Sequence, residues 1–156
     1  MVGEQSSGDS TAPTFTSAAT NTAGTQVILT YNEALSSTTA AASAFAVTTN
    51  GSANNVTGVS ISGSTVVLTV NTEIKNDDTV TVAYTDPSGS NDSNAVQDAA
   101  GNDAATLSTQ SVTNNSDVPG TPPAQPTITT TVTLTSDTTP TLEGTAEAGS
   151  TVNLYN

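Results

Sequence analysis

The side chains able to do chemistry in this chain are carboxylates, hydroxyls and amides, with Lys75 the one basic residue. Their densest grouping is "AVQDAAGND", residues 95–103, which carries Asp98, Asn102 and Asp103 around Gly101. Oxygen ligands of this kind suit a hard cation such as calcium. The same residues also suit a tight turn. Gly101 can take positive φ, and Asp98 or Asn102 can bond nearby backbone N–H groups. The turn explains the motif without an ion. The calcium reading adds Glu33, because strand ends on one side of a sandwich lie close together, and so predicts a site of Glu33, Asp98, Asn102 and Asp103.

A second stretch, "DPSGSNDSNAVQD" (86–98), places Asp86, Ser88, Ser90 and Asp92 at odd positions, as an EF-hand loop does. It departs where the EF-hand is strict: Asn91 stands where the turn glycine belongs, and Gln97 where the bidentate Glu belongs. Asp86 and Asp92 are therefore expected only as weaker contributors to an irregular loop site. Asp77–Asp78, just before a strand, reads as a turn. Asp9 and Asp117 flank the module, where neighbouring domains can share an ion.

Composition narrows the rest. The chain has no His, Cys or Trp, which removes His-based triads, cysteine nucleophiles, disulfides and soft-metal sites. Fourteen acids against one base give a net charge of −13, which excludes nucleic acid as a partner and repels an anionic membrane surface. No apolar run is long enough to span a bilayer, and "MVGEQSSGDSTAP" has neither the charged nor the apolar part of a signal peptide. A glycosidase-like carboxylate pair carries no weight among 14 acids without a cleft, so the chain is not expected to be an enzyme.

Positioning these residues falls to strands. Thr and Ser abound, aromatics are few, and helical periodicity is nearly absent. Residues 14–18 read as a first strand. "TQVILTY" (25–31) alternates Val27, Leu29 and Tyr31, and "AFAVTT" (44–49) ends at Asn50-Gly51, a strong hairpin signal. In "NNVTGVSISG" a bulge at Gly58 would let Val56, Val59 and Ile61 face inward. "TVVLTV" (65–70) and "DTVTVAYTD" (78–86) alternate again, and a last strand near 104–113 holds Leu107 and Val112. Residues 32–44 are expected to connect strands across the sandwich end, with one short helical turn. These signals predict an all-β, immunoglobulin-like β-sandwich of about seven strands.

The domain reading is a linker over 1–11, the sandwich over 12–113, a Pro-rich linker over 114–125 and a further unit over 126–156. That last segment offers only three strands, too few to close a core, and is expected to be the truncated start of a second domain.

Residues 9–116 resemble the SWM-type repeat, an immunoglobulin-like module of bacterial surface and motility-associated proteins. The resemblance rests on "DSTAPTF", "VILTYNEAL", "VTVAYTDP" and "VQDAAGN", and within these on Tyr31, Glu33 and Leu35 and on Asp98, Gly101 and Asn102. Through "TPTLEGTAEAGSTVNLY", residues 126–156 look like the opening of another bacterial Ig-like repeat. The resemblance implies a structural spacer repeat of a large extracellular protein at the bacterial cell surface, with neighbouring repeats of the same polypeptide as partners. The alternative is an adhesion module that binds a carbohydrate, matrix or cell-surface ligand. Phe15, Tyr31, Phe45 and Tyr84 fall in strands where a core needs them, which leaves little aromatic surface for a sugar platform.

Overall fold

The computed structural model describes residues 8–122, 124–129, 143–146, 148 and 150–153. The chain divides into two compact units, Met1–Gly120 and Thr121–Asn156.

In the first unit, period-two alternation builds two four-stranded sheets. One contains β1 (Phe15–Thr20), β2 (Gln26–Tyr31), β6 (Thr65–Val70) and β5 (Val56–Ser62), in the order β1-β2-β6-β5. The other contains β4 (Ser52–Ala53), β3 (Phe45–Thr49), β7 (Val80–Tyr84) and β8 (Leu107–Val112), in the order β4-β3-β7-β8. All pairings within the sheets are antiparallel. The arrangement is that of an immunoglobulin-like sandwich, with a short β4 added to the second sheet.

The alternating positions point inward as expected. Val27, Leu29, Val66, Leu68, Val80, Val82 and Tyr84 are all buried, and Val47, Phe45, Tyr31 and Val70 join them. Each such aliphatic side chain contributes about 1.5–3 kcal/mol through burial. Phe45 stacks obliquely on Tyr84 at 5.1 Å, and Phe15 meets Tyr31 edge-on at 6.2 Å.

Turn chemistry sets the register. Asn50 and Gly51 both take positive φ, and Thr49 pairs with Ser52 across them, which adds β4 as a strand the sequence reading passed over. The register of β5 against β6 shifts between Val56 and Gly58, the predicted bulge. A short 3-10 turn at Ala42–Ala44 lies within the 32–44 connection. Loops also supply core: Ala40, Ile74, Val96 and Ala104 are buried in the same cluster, although no strand periodicity marks them.

β1 and β8 run parallel where they meet. Ala19 bridges Thr113, Thr20 N donates to Thr113 O at 2.9 Å, and Thr113 N donates to Ala18 O at 2.9 Å. The chain therefore arrives at one pole of the sandwich, called proximal here, and leaves at the opposite, distal pole. Asn114–Gly120, expected as linker, folds back against the distal pole, and Ser116 within it is buried. Composition rich in Asn, Ser, Pro and Gly marks absence of periodicity, which a hydrogen-bonded strap shares with a free tether.

In the second unit β9 (Thr127–Ile128) pairs antiparallel with β10 (Gly144–Thr145). The Thr127 and Thr145 hydroxyls are hydrogen-bonded at 2.8 Å. Of the three strands expected over 126–156, the parts that fall on residues 130–142, 147, 149 and 154–156 lie outside the described residues.

Candidate functional site

The proximal pole gathers Asp9, Glu33, Asp86, Asp92, Asp98 and Asp103 from the acidic residues singled out above. Strand β2 ends at Tyr31, so Glu33 stands on the connection that leaves it. Leu35 bridges Asp98 and Ser36 N donates to Gln97 O at 2.8 Å, which fixes this connection to the 95–104 loop, while Leu35 N donates to Gly63 O at 2.9 Å in the β5–β6 turn. The arriving chain is fixed to the same place. Asn32 N donates to Thr14 O at 3.0 Å, Thr14 N donates to Asn32 Oδ1 at 2.7 Å, and Asn102 Nδ2 donates to Asp9 O at 3.1 Å.

Asp98 is the organiser of its turn. Its Oδ1 accepts from Ala100 N at 2.8 Å and Asn102 N at 2.9 Å, and its Oδ2 accepts from Asn102 Nδ2 at 2.7 Å. Gly101 has φ of 88°, in the left-handed region that favours glycine. The Asn102 side-chain amide, followed by its backbone N–H, holds the Asp98 carboxyl below the ordinary carboxylate range. The predicted tight turn is thus present in full.

Glu33 has the opposite setting. Its Oε1 is buried and makes no hydrogen bond, and burial, then the charges of Asp9 and Asp98, raise its carboxyl above the ordinary range. One carboxylate oxygen each from Asp9, Glu33 and Asp98 lie within 4.8 Å of one another. That spacing accommodates an ion with oxygen ligands at roughly 2.3–2.6 Å, so the donor set and the unpaired Glu33 oxygen fit calcium. Asp9, placed at a junction by sequence reasoning, is the third carboxylate here.

Asp103 lies in the same loop but is bound to its 86–94 segment. Its Oδ2 accepts from Asp92 N at 2.8 Å, while its Oδ1 is buried without a partner. Burial raises its carboxyl, with Asp86, Asp92 and Asp98 adding to the effect. Asp92 is lowered, chiefly by the Ser88 hydroxyl and then by Asn94 N. Asp86 Oδ1 accepts from Ser88 N at 3.2 Å, so Asp86 and Asp92 shape the 86–94 loop beside the cluster. Asp77–Asp78 sits at the distal pole as a turn, where Asp78 Oδ2 accepts from Lys75 N at 2.7 Å.

A family profile of the SWM repeat, described as a flagellar system-associated repeat, matches residues 8–89. The chain belongs to the SWM repeat family. The matched residues of the SWM repeat include Asp9 and Glu33 and stop short of the Asp98 turn. No curated protein matches the chain. Among solved structures, the N-terminal part of the bacterial S-layer protein SbsC is 22% identical at a TM-score of 0.53, with 76% of this chain and 26% of that one covered. SbsC domains 1–6 are 22% identical at a TM-score of 0.53, over 78% of this chain and 16% of that one. At such identity the likeness is one of fold, and this SWM repeat spans only a small part of those chains. Among its described residues, no helix is long and apolar enough to cross a membrane.

Proposed function

We propose that this SWM repeat is a non-catalytic, load-bearing spacer in a large extracellular protein of the bacterial surface, of the adhesin or motility-associated kind. The observation that carries this reading is the path of the chain through the first unit: it arrives at the proximal pole, leaves at the distal pole, and that unit's first and last strands, β1 and β8, meet in parallel. Tension between the ends then slides β1 along β8 and loads their hydrogen bonds together. The high negative charge keeps neighbouring copies soluble and apart. A ligand-binding role draws less support, since Tyr31, Phe45 and Tyr84 are spent on the core.

The test is exchange within the parent surface protein. Replacing the repeat with an unrelated immunoglobulin-like module of equal length should preserve attachment or motility, whereas deleting it should impair them. Loss of function in the replacement, together with specific binding of the isolated chain to a glycan or matrix protein, would overturn the spacer reading.

We further infer that calcium binds at the proximal pole through Asp9, Glu33 and Asp98. The unpaired, buried Glu33 oxygen supports this reading. The ion would neutralise carboxylates that have no base among them and fasten the arriving chain at Asp9 to the domain.

A further inference from the structure

Beyond the sandwich itself, we propose that Asn114–Gly120 is a force-bearing strap that clamps the departing chain to the β6–β7 loop and extends the rigid repeat past β8. The use of such a strap under tension rests on the spacer reading, but its existence as a clasp does not.

The strap begins at Asn114, whose side chain is saturated. Its Nδ2 donates to Lys75 O at 2.6 Å and Asp78 O at 2.9 Å, and its Oδ1 accepts from the Thr20 hydroxyl at 3.1 Å and from Ser116 N at 3.0 Å. Two donors and two acceptor positions are all that an amide side chain has. Thr20, buried at the end of β1, accepts in turn from Asn115 N at 2.7 Å. Ser116 is buried next. Its hydroxyl donates to Ile74 O at 2.7 Å and accepts from Val118 N at 3.1 Å.

Further along, Asp117 N donates to Thr22 O at 2.8 Å, Asn76 N donates to Val118 O at 2.8 Å, and Gly120 N donates to Asn76 Oδ1 at 3.0 Å. Every residue of the strap except Pro119, which has no N–H, takes part in these bonds. The β1–β2 turn is locked under them. Ile74 N donates to Gly24 O at 2.8 Å, and Gly24, at φ of 66°, sits so close to Ile74 O that a Cβ there would collide with it. Ile74 itself is fully buried, so the loop that receives the strap is anchored in the core. A tether would show none of this.

Mechanically, a pull on the chain beyond Gly120 reaches the strap before it reaches β8. Several bonds to one anchored loop then share the load. Complete release of these seven residues would lengthen the molecule by at most roughly 25 Å at full extension.

Two measurements on the full chain test the proposal. Hydrogen exchange should show the amides of Asn76, Ser116, Asp117, Val118 and Gly120 protected as a group. Asn114→Ala should release that group while leaving the β2–β6 amides protected. Exchange of these five amides at unstructured rates in the parent would overturn the clasp.

Force spectroscopy then separates a strap from a general stabiliser. With handles at Ser10→Cys and Gln125→Cys, Asn114→Ala should speed forced unfolding about tenfold or more at a given load, as expected when several hydrogen bonds are lost. With handles at Ser10→Cys and Thr109→Cys, upstream of the strap, the same variant should match its parent. Equal effects in both geometries, or no effect in either, would overturn the load-bearing role. Ser116→Ala repeats the comparison with a milder change should Asn114→Ala fail to fold.

Discussion

The phenol oxygen of Tyr84 accepts a hydrogen bond from the backbone N–H of Val96 at 3.0 Å, inside the core where both residues are fully buried. A strand of one sheet thereby holds down the long loop that carries Asp98 and Asp103. Burial above all pushes the Tyr84 phenol up to about 12, so it stays protonated at any physiological pH. Tyr84→Phe keeps the ring and leaves the Val96 N–H unpaired. The expected cost is about 1–3 kcal/mol, the usual penalty for an orphaned buried donor. Urea unfolding should show a lower midpoint with an unchanged slope.

Leu68 and Val67 stand on opposite faces of β6, with Leu68 fully buried and Val67 only partly so. Leu68→Ala should cost about 2–5 kcal/mol through the cavity it leaves. Val67→Ala should cost clearly less, because part of that side chain stays in water. Comparable losses for the two, measured by denaturant titration, would mean the assigned register is wrong.

The acidic pole predicts a stability maximum on the acid side of neutrality. Glu33 and Asp103 have raised carboxyls, so over the range from their folded values down to the ordinary range of about 4 the native state holds more protons than the unfolded one. Stability therefore falls as pH rises through that window. Asp98 and Asp92 are lowered, and the stability they contribute is lost as pH falls below the ordinary range towards their folded values. Calorimetry should show the melting temperature rising as pH is lowered through the folded values of Glu33 and Asp103 towards the ordinary range, and dropping again once pH falls below about 4. Glu33→Gln should flatten the first slope and leave the second.

Calcium should raise the melting temperature at fixed ionic strength, by several degrees at a hundredfold excess over the dissociation constant, equivalent to about 2.7 kcal/mol. Glu33→Gln and Asp9→Asn should abolish the shift. Asp98→Asn should lower the melting temperature even in chelator, since Asp98 also builds its turn. An unchanged melt of the parent in calcium would leave the pole as turn chemistry alone.

Much of this fold could be read from period-two alternation, because seven positions on β2, β6 and β7 needed only to face one way. The Asn50-Gly51 turn and the Gly58 bulge were legible for a similar reason: their backbone conformations demand particular residues. Ile74, Val96 and Ala104 were not legible, since loop residues enter the core through tertiary contacts that leave no local pattern. The site divides along the same line. The Asp98–Asn102 turn is local and was visible. That Asp9 would join Glu33 and Asp98 depends on how Thr14 and Asn32 bind each other across 18 residues. The sequence marks Asp9 as a junction residue that could share an ion, but not as a neighbour of Glu33 and Asp98.

The strap also decides how this molecule meets proteases. Enzymes that cut after Lys or Arg find a single such residue in the whole chain, Lys75. The peptide bond that follows it is clasped on both sides: its carbonyl accepts from Asn114 Nδ2 at 2.6 Å, and its N–H donates to Val118 O at 2.8 Å. A trypsin-like protease must draw that bond out in extended form, which it can do only after the strap has opened. Cleavage at Lys75 therefore reports the opening of the distal clasp, so that the bonds of the strap also set how fast a trypsin-like enzyme cuts these 156 residues.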